Sequence, residues 1–271
     1  KLGTGQDGLV VIDENLTVGN MGSYVYVEEQ INEMPVEENM YAVNEHDEML
    51  LSRQDLVNQT WRQYKLGDRS HDSLIRGPSD IKNADELAPD FSNLASFLMG
   101  MRDNHPDSYS FLLSFLKLDI ANFEDFILEP KHNADGTTTM DLAWKHKEFE
   151  FPMQHYHFSD GTLRFIAMAT CMLQAKPPSV IIINEPELGL HFDTIESFVG
   201  LVKNNMQKSQ IVIATQSPIL VDKLNPEDVI TVNQGKEGSE FKRLEHKDLD
   251  VWLENNTLGQ LWVRNVVAAS T

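Results

Sequence analysis

Three short stretches of this chain hold residue types that could do chemistry together. Ser159-Asp160-Gly161-Thr162 opens an apolar helical run, Asn184-Glu185 closes one apolar run, and Thr215-Gln216-Ser217-Pro218 closes another. A helix N-terminus offers unpaired N–H groups and the positive end of the helix dipole. The first stretch therefore suits an anion, with Ser159 adding a hydroxyl donor. A carboxylate such as Glu185, held at the end of a buried strand, can orient a water molecule. Gln216 can reach that water or the outermost of a row of phosphates. A backbone cradle, Mg²⁺, a water-orienting carboxylate and a γ-phosphate sensor are the parts that phosphoryl transfer to water needs. Each stretch alone has a plainer reading: an N-cap, a strand-end Glu satisfied by a backbone amide, a turn hydrogen bond. Their order favours the chemical reading, as does the spacing of 25 residues from Ser159 to Asn184.

The elements that must position these residues are legible around them. Residues 180–183 and 211–214 are short, apolar and rich in β-branched side chains, which is the pattern of strands buried on both faces of a parallel sheet. Such sheets hold ligands at the carboxyl ends of their strands, where Asn184, Glu185 and Gln216 stand. The amphipathic stretch between the two runs predicts a helix, and so a βαβ unit. The expected fold is α/β, a mainly parallel sheet flanked by helices, with a small α+β lobe. Residues 1–90 form an acidic segment of strands and loops, 91–153 the lobe, and 154–271 the core that carries the motifs.

Finer expectations follow from the local patterns. Residues 28–48 read as an irregular acidic insertion. Leu50, Leu51, Leu56, Val57 and Trp61 share a rough face, which suggests a helix over 49–66. Residues 67–90 read as an extended connection. Ser92 is placed to cap a helix, and Phe111, Leu112, Phe115 and Leu116 are expected to face inward from the next one. Asn133-Ala134-Asp135-Gly136 is a hairpin turn with a return strand over 137–144. Asp193 and Glu196 suggest a capping box. His155 and His157 would share one face of a strand, but no third ligand is near, so a metal pair is set aside. The four tryptophans are read as packing residues.

Composition narrows the class. The 271 residues suffice for one large domain or a domain with a lobe, and no apolar run is long enough to span a bilayer. The single cysteine, Cys171, excludes an internal disulfide and points to a reducing, cytoplasmic setting. The formal charge of −20 opposes phosphate backbones, so duplex DNA binding by this chain is disfavoured. Residues 1–58 hold 12 acidic against two basic residues. That excess reads as a solvated surface rather than a docking face for a basic partner.

Taken together, residues 158–218 resemble the ABC-type ATPase heads of the SMC/RecF class, in particular the bacterial AAA-type members with a short lobe in place of a long coiled coil. Phe158-Ser159-Asp160-Gly161-Thr162-Leu163-Arg164-Phe165 is similar to the signature motif of that class. Residues 180–185 match its Walker B strand, Glu187-Leu188-Gly189-Leu190-His191 its D-loop, and Thr215-Gln216-Ser217-Pro218 its switch segment, where His is commoner than Gln. The resemblance implies ATP and Mg²⁺ as ligands, with Glu185 and Gln216 as catalytic residues. It implies Ser159, Asp160, Gly161, Thr162, Arg164, Glu187, Gly189 and His191 as nucleotide-contacting residues. It further implies a head-to-tail homodimer with ATP between the copies.

Two departures stand out. No GxxxxGK[ST] occurs in the sequence, and Gly3-Thr4-Gly5-Gln6-Asp7-Gly8 lacks both a lysine and a preceding strand. A fragment that begins after the phosphate cradle is the expectation. Asn184 stands where the class has Asp or Glu; its amide could accept a bond from a Mg²⁺-bound water without adding charge. The leading reading is thus an ATPase head in DNA repair or phage defence. The other is a nucleotide-sensing or inactive scaffold that holds a separate effector, a nuclease or a toxin.

Overall fold

In the computed structural model, residues 61–66, 74–82, 84–233, 239–264, 266 and 267 are described in full; elsewhere only the backbone of a few strands and of Gln234 is described. In chain order the strands are β1 (Leu2–Gly3), β2 (Val10–Ile12), β3 (Val18–Met21), β4 (Tyr24–Val27), β5 (Tyr41–Val43), β6 (Met49–Ser52), β7 (Trp61–Tyr64) and β8 (Ser79–Asp80). Helices α1 (Leu94–Asn104) and α2 (Pro106–Asp119) follow. Then come β9 (Phe123–Ile127), β10 (Lys131–His132), β11 (Thr138–Met140), β12 (Ala143–His146) and β13 (Met153–Gln154). The last part runs α3 (Asp160–Leu173), β14 (Val180–Asn184), α4 (Phe192–Asn205), β15 (Gln210–Ala214), α5 (Pro218–Val221), β16 (Ile230–Gln234), β17 (Ser239–Arg243), α6 (His246–Leu253) and α7 (Leu258–Val263).

The chain forms two compact units. The first comprises Lys1–Arg62, Pro178–Ile182 and Ser209–Thr271; the second comprises Gln63–Pro177 and Ile183–Lys208. The first unit is built on a sheet of order β2-β15-β14-β7, in which β15 runs parallel to β2. The fold is α/β with a mainly parallel sheet flanked by helices, and β14 and β15 are neighbours, as a βαβ unit requires. Their apolar runs explain the placement: Val180, Ile182, Val212, Ala214 and Ile230 form one buried cluster, with Trp61 and Val232 against it. Gly259, in the first turn of α7, has room for no side chain. A Cβ there would lie 2.3 Å from the carbonyl oxygen of Pro218, and the Gly259 N–H donates to Asp222 Oδ1 at 2.5 Å.

The second unit holds two small antiparallel sheets, β10-β11-β8 and β13-β12-β9, with α1 to α4. Its interior includes Leu98, Leu112, Leu116, Phe123, Met140, Ile166 and Phe198, all fully buried. Helix α3 is apolar on nearly every side because it packs against both α2 and α4. Cys171 lies inside it, and burial pushes its thiol well above the ordinary range.

Several local expectations give way to the structure. Residues 49–52 and 61–64 are strands, not helix: Leu50 and Leu51 lie in β6, paired antiparallel with β5, and Trp61 begins β7. Tyr41–Val43 is likewise a strand within the stretch read as irregular; the rest of 28–48 lies outside the described residues. The N-cap of α1 is Asn93, not Ser92. Its side chain is taken by the backbone of Ala88 and Glu86, at 2.8 and 2.7 Å, and caps no helix N–H. Leu112 and Leu116 are buried, but Phe111 is 61% exposed. The turn at Asn133-Ala134-Asp135-Gly136 is present, with Gly136 at φ 83°, but its return strand breaks into β11 and β12, which belong to different sheets. His155 and His157 lie in a 3-10 turn rather than on a strand face. Trp144 is buried, whereas Trp252 is half exposed on α6. Among the described residues no helix is long and apolar enough to cross a membrane.

Candidate functional site

Helix α3 starts where the sequence places it. Ser159 is its N-cap, extended at φ −63° and ψ 157°, and its Oγ accepts the Thr162 N–H at 3.0 Å. The Ser159 and Thr162 hydroxyls are 2.8 Å apart. The N–H groups of Asp160 and Gly161, in the first turn, have no carbonyl four residues back within the helix. Asp160 points aside, bound to Arg76.

The turn that follows β14 meets this helix end. Gly189 sits at φ 80°, a conformation that costs glycine little and other residues more. Leu190 N–H closes the turn on the Glu187 carbonyl at 3.0 Å, and Leu188 N–H approaches the Glu185 carbonyl at 3.3 Å. A Cβ on Gly161 would lie 2.1 Å from the carbonyl oxygen of Gly189, so Gly161 is needed for the two backbones to meet, while the positive φ favours glycine at 189. The junction leaves a cavity of about 130 Å³, lined among others by Asp119, Ser159, Gly161, Thr162, Gly189 and His191. Five of the residues expected to contact nucleotide are thus drawn to one cavity within one unit.

Asp160, Arg164, Asn184, Glu185, Glu187 and Gln216 are not among the residues that line that cavity. His191 is the N-cap of α4, without a side-chain capping bond, so the capping box expected of Asp193 and Glu196 does not form. Its Nδ1 lies 3.5 Å from Asp193 Oδ2, with both side chains about four-fifths exposed, an arrangement of small energetic weight. Glu187 is 7% exposed. Arg164 Nη1 donates to the Leu66 carbonyl at 2.7 Å. Asn184 ends β14 and is exposed, while Glu185 follows it at φ 46°. For a non-glycine residue that left-handed backbone is strained by roughly 1–2 kcal/mol, and such strain gathers at functional positions. Gln216 belongs to the first unit, exposed after β15; beside it Ser217 N–H donates to Thr215 Oγ1 at 2.9 Å, and Ser217 caps α5.

Two residues at or beside the site carry no sequence signal. Asp119, the last residue of α2, lines the cavity; its Oδ1 accepts the Ser197 hydroxyl of α4 at 2.8 Å, and its Oδ2 is buried without a hydrogen-bond partner. Burial raises its carboxyl above the usual carboxylate range, opposed by the Ser197 bond and supported by the like charge of Asp193. Arg76 is the second, in a short 3-10 turn over Leu74–Arg76.

Comparison with known proteins agrees with the resemblance seen in the motifs. The family model described as "AAA domain, putative AbiEii toxin, Type IV TA system" matches residues 41–222. No curated protein matches. Among solved structures, an SMC head bound to the C-winged helix domain of ScpA is 14% identical over 70% of this chain and 57% of that one, with a TM-score of 0.48. An SMC head with an extended coiled coil from Pyrococcus furiosus, bound to the C-terminal domain of ScpA, is 15% identical over 59% of this chain and 39% of that one, at 0.41. A structure from work on ATP-driven dimerization and DNA-stimulated activation of SMC ATPases is 14% identical over 58% of this chain and 95% of that one, at 0.43. The chain therefore spans little more than half of the first of these proteins and about two-fifths of the second.

Proposed function

The chain belongs to this AAA domain family, and on that premise we propose that it is the ATP-hydrolysing head of an SMC/RecF-like ABC ATPase, working as two copies with Mg-ATP between them. The observation that carries the reading is the apposition of Gly161 and Gly189. It brings the first turn of α3 and the 185–191 turn to one cavity, with helix N–H groups and two hydroxyls at its edge. That edge suits a terminal phosphate presented by a second copy.

For Mg²⁺ the fit is thinner. Among the described residues no group of three carboxylate, imidazole or thiol side chains gathers, so the ion would rest on phosphates and waters, with Asn184 reaching it through a water. The ion would supply charge neutralisation of the phosphates. Glu185, fixed by its strained backbone at the end of β14, orients the attacking water and accepts its proton. Gln216 senses the γ-phosphate. Ser159, Gly161 and Thr162 bind the nucleotide of the other copy, with His191 and Glu187 shaping the loop beside them. Leu188 and Phe192, 39% and 51% exposed, flank that loop and offer apolar surface to the second copy.

A second reading rests on Asn184. Without a carboxylate there, the chain would hydrolyse slowly or not at all and act as a nucleotide-controlled scaffold for a separate effector, in DNA repair, phage defence or a Type IV TA system. Steady-state ATPase assays on the full-length protein, with sizing chromatography in the presence of ATP, separate the two. Hydrolysis that Glu185→Gln abolishes supports the first; ATP-driven pairing without hydrolysis supports the second; neither pairing nor hydrolysis rejects both.

A further inference from the structure

Arg76 is a buried cation in a stretch that the sequence presents as plain connection. Its side chain is 7% exposed. Its Nη1 donates to the His155 carbonyl at 3.0 Å, and its Nη2 to the Phe158 carbonyl at 3.4 Å and to Asp160 Oδ1 at 2.5 Å. These three contacts fall on both sides of Ser159, so one guanidinium spans the residues that set the position of the N-cap. An arginine keeps its charge when buried, and its planar fork suits several acceptors at once.

The charge matters as much as the bonds. Asp160 is the first residue of α3 and half exposed. A carboxylate there favours the helix through its dipole, but it would repel a phosphate approaching the same helix end. Arg76 offsets that charge. The neighbouring His155 adds no second cation, because burial and the Arg76 charge hold its imidazole below the usual range.

We propose that Arg76 is a positioning residue for the anion site at the start of α3: it fixes the 155–160 segment and cancels the charge of Asp160, so that the helix end accepts a phosphate. This rests on reading that helix end as the surface that meets the nucleotide of a second copy.

The test uses the full-length protein with Arg76→Met, Arg76→Lys, Asp160→Asn and the double variant Arg76→Met/Asp160→Asn. ATP-driven association is measured by sedimentation, and nucleotide binding by the separate copies with a fluorescent ATP analogue. Arg76→Met should weaken association tenfold or more and leave binding by separate copies unchanged. Asp160→Asn should tighten association several-fold, and the double variant should recover most of what Arg76→Met loses. A merely structural anchor for two carbonyls would not be rescued by removing a carboxylate, so failure of the rescue overturns the charge role. If Arg76→Met does not fold, Arg76→Lys should associate nearly as the parent does and Asp160→Asn must still tighten association; no tightening overturns the inference. A parent that does not associate with ATP overturns the reading of the site itself, and the inference with it. An associating parent matched by Arg76→Met overturns the inference alone.

Discussion

The carbonyl oxygen of Gly189 occupies the space that a side chain on Gly161 would need, 2.1 Å from the site of its Cβ. Gly161→Ala must therefore push two backbones apart, with no flexible side chain to give way. It should destabilise the protein by about 2–4 kcal/mol, within the range of overpacked interiors. Gly189→Ala meets no atom closer than 4.0 Å and should cost only about 1 kcal/mol, from its positive φ. Thermal denaturation of the two variants checks the order. Equal costs would mean that the close approach is relaxed in solution.

Glu185→Gln should slow hydrolysis by about 10²–10⁴-fold while leaving ATP binding intact, the cost of losing a positioned base. Glu185→Gly should lose hydrolysis equally yet raise stability by about 1 kcal/mol, because glycine relieves the left-handed backbone at φ 46°. Paired ATPase and melting measurements check both. A parent rate in Glu185→Gln removes the role given to that carboxylate.

Asn184→Asp adds a charge where the chain has an exposed amide at the end of β14. Mg²⁺-dependent nucleotide binding should tighten by about tenfold, equivalent to ~1.4 kcal/mol, with little change in metal-free binding. Titration with ATP in the presence of Mg²⁺ and of EDTA distinguishes the two.

Asp119 supplies a pH dependence. Its carboxyl is raised by burial, so its ionised form is disfavoured in the folded protein. Stability from this group is complete below the ordinary carboxylate value and is lost as pH rises through the raised one. Asp119→Asn keeps an acceptor for Ser197 and carries no charge. It should raise Tm at pH 7 by a few degrees, about 2–4 °C per kcal/mol, with a gain that shrinks toward pH 4. A gain that grows on acidification has the wrong sign and would show that the carboxylate is stabilising.

What could be read from the sequence, and what could not, divides along physical lines. The strands at 180–183 and 211–214, the helix opened by Ser159 and the glycine turn at 189 are set by local pattern: β-branched runs, an N-cap and a positive φ. Residues 49–66 misled because Leu50, Leu51, Leu56, Val57 and Trp61 satisfy a helical face about as well as short strands do, and pairing partners decide such cases. Phe111 and Trp252 are exposed although apolar, which composition alone does not show. Arg76 and Asp119 were hidden because each acts across about 80 residues of sequence, on Asp160 and Ser197 respectively. A lone charge in a connection carries no mark of its eventual partner.

The division of the chain into two units has a consequence for how it folds. The boundaries fall at 62/63, 177/178, 182/183 and 208/209, so the backbone passes from one unit to the other four times. Neither unit is a continuous length of chain, and five residues, Pro178–Ile182, belong to the first unit while both of their flanks belong to the second. Neither unit can therefore be completed during synthesis until the ribosome has delivered residues beyond 182. Closing loops of more than 100 residues precedes the pairing that rewards them, which makes for slow folding through partly ordered states. A single proteolytic cut at any one crossing should leave the two units joined by the remaining three.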